Sequence, residues 1–341
     1  MLDGLPVLDL TDHRGHFGSW LLSQLGAEVI RVQPPGGPVP DPQAWHHRGR
    51  DLADLVYTTG GTIVALDPAA AADRTALRRL VSDTAIILSS GPSDHLARFG
   101  IDRAKLLELN PGVVAVVVTP FGPDGPRADQ PAAELTVAAL GGPVRIQGTP
   151  ERAPVHHSVP QTWRHAGAEA AVAALVALAR ADQTGEAQFV DVSAQAAMTW
   201  TMLNAMEAHG IQGFDFERTG ATLELAMSIP LRQACADGYV VVVPRGRNGQ
   251  LITPWLIEDG IVDASWADED WDDFDRKTID GEPTLVGHED LTEAIGRLCA
   301  RYTKRELLQR GSDVGVTIAP INLSLIHISE PTRPSKSSRM P

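Results

Sequence analysis

Residues 160–193 read PQTWRHAGAEAAVAALVALARADQTGEAQFVDVS. A polar opening leads into a helix entered near His165, on which Ala170, Ala171, Ala174, Leu175 and Leu178 recur at the helical period. The pattern breaks at Asp182–Gly185, and a short strand, Gln188–Val192, follows. The alanine-rich face of this helix lets a second helix approach closely.

Working outward, Leu5–Leu10 is a short apolar run suited to a buried strand. Gly15-His16-Phe17-Gly18 leads into a helix ending at Leu25-Gly26, and Ala27–Val32 forms the next strand. That strand–helix–strand unit implies a parallel sheet. Pro34-Pro35-Gly36-Gly37 stops it, and residues 38–62 read as a long polar surface loop. Further strands are expected at Ile63–Leu66, Ala85–Leu88 and Val113–Thr119, with helical residues at Ala76–Val81. A nicotinamide site would need a third glycine in the first loop and an acid ending the second strand. The loop carries two glycines, and Gln33 stands at the strand end, so that reading is set aside.

A chain of 341 residues, 43% hydrophobic and 21% charged, reads as globular, with one large domain or two. A formal charge of −14 argues against nucleic acid, which calls for a basic face. Cys235 and Cys299 stand far apart and outside any metal-ligand pattern, so free thiols in a reducing compartment are expected. No basic leader with an apolar run opens the chain and no stretch reads as a bilayer span. The expected location is the cytoplasm, with neither membrane nor nucleic acid as partner.

The opening stretch resembles the family III CoA-transferases (the CaiB–BaiF family). The shared residues are Gly167, Ala173-Ala174-Leu175, Leu178, Thr184-Gly185, Gln188 and Val190-Asp191-Val192-Ser193. The N-terminal run Leu21-Leu22-Ser23-Gln24-Leu25-Gly26-Ala27-Glu28-Val29-Ile30-Arg31-Val32-Gln33-Pro34 is similar to the family's opening signature. Leu109-Asn110-Pro111, Phe121-Gly122-Pro123-Asp124-Gly125-Pro126 and Ala236-Asp237-Gly238-Tyr239-Val240 follow in family order.

The resemblance implies an α/β fold: a Rossmann-like parallel-sheet large domain over residues 1–222 and a smaller, incomplete α/β domain over 223–322, with family members often forming an interlocked dimer. It implies transfer of CoA from an acyl-CoA to a carboxylic acid through an aspartate nucleophile, with CoA as substrate and no permanently bound cofactor. The departures are specific. Trp163 stands where the family's D-x-x-x-G motif has its aspartate, and an indole donates only. A cationic stretch that can meet CoA phosphates is replaced by Thr58-Thr59-Gly60-Gly61-Thr62. Ser89 and Ser90 replace an E-N-F ending. Arg98, within Leu96-Ala97-Arg98-Phe99-Gly100, survives as a phosphate or adenosine contact, and Arg31, Ser89 and Ser90 join it as candidates for CoA binding.

Glu134 occupies the position where many members read Y-D-L and the racemase branch H-D. Without that histidine and the aspartate, a racemase lacks both bases. Glu134 could wall an active site, and a helix N-terminal acid favoured by the macrodipole explains it equally well. Trp163 reads as a buried anchor filling the pocket. Adjacent His156 and His157 diverge and, with His165, suit a loop or surface role rather than a metal. Three functions remain open: a transferase-family enzyme whose nucleophile has moved or whose chemistry has changed, with Glu134 and Glu169 the nearest carboxylates in sequence; a non-catalytic subunit pairing with an aspartate-bearing paralogue, which the missing aspartate and cations favour; and a CoA-binding sensor, weakened by the same missing cations. Partners are thus acyl-CoA or CoA, and either a second copy or that paralogue.

In the remaining chain, residues 259–275 read as an acidic solvated face carrying Trp266 and Trp271, 304–308 as a helix and 314–321 as a strand. From Leu323 the string LSLIHISEPTR matches the translation of a transposase-end sequencing adapter, so residues 323–341 are expected to be a non-native tail and the chain truncated.

Overall fold

The computed structural model describes residues 1–38, 45–91, 95–157, 159–224 and 228–322. The chain divides into two compact units, the first being Met1–Arg218 and the second starting at Thr219. The tail expected to be non-native, 323–341, lies outside the described residues.

The first unit contains β1 (Pro6–Leu10), α1 (His16–Gln24), β2 (Glu28–Gln33), α2 (Leu52–Tyr57), β3 (Gly61–Ala65), α3 (Ala71–Ser82), β4 (Ile86–Ser90), β5 (Val114–Thr119), α4 (Glu134–Leu140), α5 (Thr162–Thr184) and β6 (Gln188–Ser193). These six strands form one parallel sheet, in the order β3-β2-β1-β4-β5-β6. The sheet therefore has the doubly wound arrangement of a Rossmann-like fold.

Its strands are near-continuous apolar runs because both faces are covered. On one face Val7, Val29, Leu88, Val116 and Val118 pack under α1 and the alanines of α5. On the other, Leu8, Leu10, Ile87 and Ala115 meet Leu77 and Val81 of α3. The long helix begins at Thr162, three residues before the expected entry, and ends where Gly185 adopts φ +71°, a left-handed conformation suited to glycine.

Helices α1 and α5 cross at two glycines. A Cβ on Gly167 would lie 2.9 Å from the backbone nitrogen of Gly18, and one on Gly18 would lie 2.7 Å from the Gly167 carbonyl oxygen. Gly18 is thus spent on helix contact.

In the second unit, β7 (Arg232–Cys235), β8 (Gly238–Val241) and β9 (Ala319–Ile321) form an antiparallel sheet, order β7-β8-β9. Its core includes Leu256, Leu291, Ile295, Trp271 and Phe274. The acidic 259–275 stretch is therefore no simple solvated face. Trp271 lies beneath Gly249, where a Cβ would fall within 2.3 Å of its ring. The expected 304–308 helix extends over Lys304–Val314, and the strand is confined to Ala319–Ile321, because Thr303 and Glu306 form a capping box and Gly315 ends the helix at φ +84°. No helix among the described residues is long and apolar enough to cross a membrane.

Candidate functional site

Strands β1 and β4 are neighbours, and the chain winds away from them in opposite directions. A crevice outside their carboxyl ends is where this topology leaves room for a ligand. A cavity of about 200 Å³ lies there, lined by Thr11, Asp12, Arg14, His16, Ser90 and Arg98 among others. Ser90 is locked to the first loop: its Oγ accepts from the Asp12 amide and donates to Asp12 Oδ1, both at 2.8 Å. Arg14 Nε donates to both Asp12 carboxylate oxygens, at 2.9 and 3.0 Å. Burial raises the Asp12 carboxyl, but the hydrogen bonds and charge of Arg14 outweigh it and hold Asp12 well below the usual carboxylate range. Arg98 is exposed at this crevice and makes no hydrogen bond or ion pair among the described residues.

The other sequence candidates separate. Arg31 also lines the crevice but is 4% exposed and engaged. Its Nε donates to Asp9 Oδ2 at 2.7 Å, and its Nη2 donates to Ser19 Oγ at 3.0 Å and to the Tyr57 carbonyl at 3.1 Å. Asp9 also accepts from the Ser19 hydroxyl and from Thr11. Burial alone would raise the Asp9 carboxyl; Arg31, His16 and the two hydroxyls lower it below its usual value. Ser89 points to the opposite face from Ser90, as alternation along a strand requires, and lines a separate groove of about 580 Å³ with Phe189, Asp191 and Arg103.

A second cavity, of about 430 Å³, shares His16 and Pro38 with the crevice. Its walls include Phe17, Trp45, Tyr57, Trp163 and Arg164, with carboxylates Asp51 and Asp54. Phe17, Trp20 and Tyr57 cluster with ring centroids 5.6–5.9 Å apart. Arg164 Nε donates to Tyr57 Oη at 3.0 Å. Trp163 is 7% exposed, packs in the large core and borders this cavity. It lies four residues before Gly167 on the same helix face, so the glycine crossing brings its indole to the start of α1. His16 is driven below its usual value by burial first and then by the Arg31 charge, against Asp9, Asp54 and Asp12. It is therefore neutral at pH 7.

Sequence reasoning missed α2 and its part in this wall. The 38–62 stretch, read as a polar loop, instead carries a short hairpin pairing His46–His47 with Arg50–Asp51, then the helix Leu52–Tyr57. The signal was present: Asp51 Oδ1 caps the helix, accepting from the amides of Ala53 and Asp54 at 2.8 and 3.2 Å. Residues 39–44 of the same stretch lie outside the described residues.

Glu134 is 4% exposed and acts as a latch rather than lining either cavity. Its Oε1 accepts from the amides of Gln161 and Thr162 at 2.7 and 2.8 Å, at the N-terminus of α5. The acid thus sits against a helix dipole, but that of α5 as well as its own short helix. His156 Nε2 lies 3.9 Å from it. His157, His165 and Glu169 are exposed. No group of metal-ligating side chains gathers among the described residues.

A model of CoA-transferase family III matches residues 2–328. Subunit BbsE of succinyl-CoA:(R)-benzylsuccinate CoA-transferase from Thauera aromatica is 30% identical over 326 residues, 93% of this chain and 77% of that protein. The succinate–glutarate CoA-transferase of Agrobacterium fabrum is 28% identical over 338 residues, 94% of this chain and 80% of that protein. In fold, the chain is similar to a CaiB/BaiF family protein from Brucella suis, with a TM-score of 0.74 at 23% identity, covering 97% of this chain and 86% of that one.

Proposed function

Because this chain belongs to CoA-transferase family III, we propose that it transfers coenzyme A from an acyl-CoA thioester to a free carboxylic acid. The observation that carries the reading is the pair of adjoining cavities at the carboxyl edge of the sheet. The crevice offers Arg98, a guanidinium with no partner among the described residues and matched to phosphate oxygens, as the contact for the CoA nucleotide. The aromatic-walled cavity beyond His16 takes the acyl group. CoA is a substrate in this scheme, and nothing else is held permanently. Succinyl-CoA, named for the Thauera protein, is the first donor to test. The large domain is taken as residues 1–222 and the smaller as 223–322, in a cytoplasmic homodimer.

Trp163 favours a second reading. It is buried where the resemblance puts the family's aspartate, so the chain would be the non-catalytic subunit of a pair, shaping the site of an aspartate-bearing paralogue. Purified protein is incubated with succinyl-CoA and a panel of dicarboxylic acids, and new acyl-CoA is followed by mass spectrometry. New thioester, with hydroxylamine-sensitive labelling of this chain, supports the enzyme. A protein folded by circular dichroism that gives neither refutes it in favour of the partner.

A further inference from the structure

A transferase of this class needs a carboxylate that can attack a thioester, and the turn carrying Trp163 supplies none. Three carboxylates line the two cavities among the described residues: Asp12, Asp51 and Asp54. Asp12 is bound by Arg14 and Ser90. Asp51 is occupied in capping α2. Among the described residues the Asp54 carboxylate accepts no hydrogen bond, and it is about a third exposed, at 31%. Its nearest cation is Arg31, whose Nη1 lies 4.0 Å from Oδ1 and is itself a buried donor without a partner. The guanidinium, fixed by Asp9 and the Tyr57 carbonyl, attracts the Asp54 carboxylate without taking a lone pair. Glu134 and Glu169, the nearest acids in sequence to the lost nucleophile, are respectively latched to α5 and exposed outside the cavity.

We propose that Asp54, which lines the same cavity as Trp163, is the acyl-accepting nucleophile of this chain. The assignment rests on the transferase reading. A carboxylate oxygen of Asp54 bonds to the thioester carbonyl carbon as the C–S bond breaks, leaving a mixed anhydride and CoA thiolate. The thiolate attacks the Asp54 carbonyl, releasing the donor acid as its carboxylate and forming an Asp54–CoA thioester. The acceptor carboxylate attacks that thioester, and the thiolate then takes the acceptor acyl group from the new anhydride, which frees Asp54. Each step exchanges an acyl bond, and nothing is oxidised or reduced.

The test uses the full chain with succinyl-CoA, then borohydride, which reduces an aspartyl thioester to homoserine, and peptide mass spectrometry. Homoserine is expected at position 54 in the unaltered protein. Asp54→Asn should abolish it and cut transfer by at least about 10³-fold, as losing a nucleophile does. Glu169→Gln should leave both unchanged. Homoserine at another position, or full transfer by Asp54→Asn, overturns the assignment while leaving the transferase standing. A folded protein with neither label nor transfer overturns both.

Discussion

Replacing Gly167 by alanine tests the close helix crossing on which the site is built. The new Cβ would lie 2.9 Å from the Gly18 nitrogen and 3.0 Å from Phe17 Cβ, against the ordinary 3.5–4.0 Å of carbon contacts. The nearest obstacle is backbone, so α1 and α5 must part by roughly 0.5–1 Å. Such overpacking costs about 1–3 kcal/mol, and backbone obstruction places this site near the upper end. Alanine regains about 1 kcal/mol of helix propensity over glycine. The net expectation is a loss of about 2 kcal/mol, or about 4–8 °C in Tm for a unit of this size. Urea and thermal unfolding by circular dichroism measure it, with intrinsic tryptophan fluorescence following Trp163 nearby. Gly18→Ala should act similarly, and the double variant should cost less than the sum because one separation relieves both clashes. Gly112, with open space around its Cβ and no positive φ, is the control: Gly112→Ala should be neutral or slightly stabilising. If Gly167→Ala matches the unaltered protein within about 0.5 kcal/mol, the crossing is not as tight as argued.

Glu134→Ala should destabilise by about 2–3 kcal/mol, since two amides at the α5 N-terminus, that of Thr162 buried and that of Gln161 partly so, lose their acceptor; Glu134→Gln, keeping an acceptor, should cost clearly less in the same unfolding assay. Acidification should weaken the first unit in two stages. His16 is depressed from its ordinary 6.5, so the unfolded chain binds its proton first and stability falls as pH drops below 6.5. The slope is at most about 1.4 kcal/mol per pH unit, and His16→Gln should flatten it in urea titrations between pH 7 and 5. Asp9 is held below 3.8, so its contribution is present above that value and is lost only as pH falls through its lower folded value. In the second unit, burial pushes the Cys299 thiol up to about 12, while Cys235 is partly exposed. Iodoacetamide at pH 8 should therefore modify Cys235 alone until the chain unfolds, read by intact mass; early labelling of Cys299 would contradict its burial.

The sequence alone carried the strands and the long helix, because apolar runs and helical spacing record which faces leave water. It also carried the family and the anomaly at Trp163, since both are matters of residue identity at fixed spacing. Its errors came where long-range contacts override local polarity. Residues 259–275 look solvated, yet Trp271 is drawn under Gly249 by a core assembled from segments on either side. The 38–62 stretch looks like a loop, yet its helix α2 lines the same cavity as Trp163. Ser89 and Ser90 were indistinguishable in sequence, and strand alternation sent them to different cavities. Glu134 was legible as a helix-start acid, but its capping of α5, a contact spanning 27 residues, was not. Local pattern determines what each segment can be. Which carboxylates remain free for chemistry is decided only after folding has committed the others to arginines, caps and helix ends.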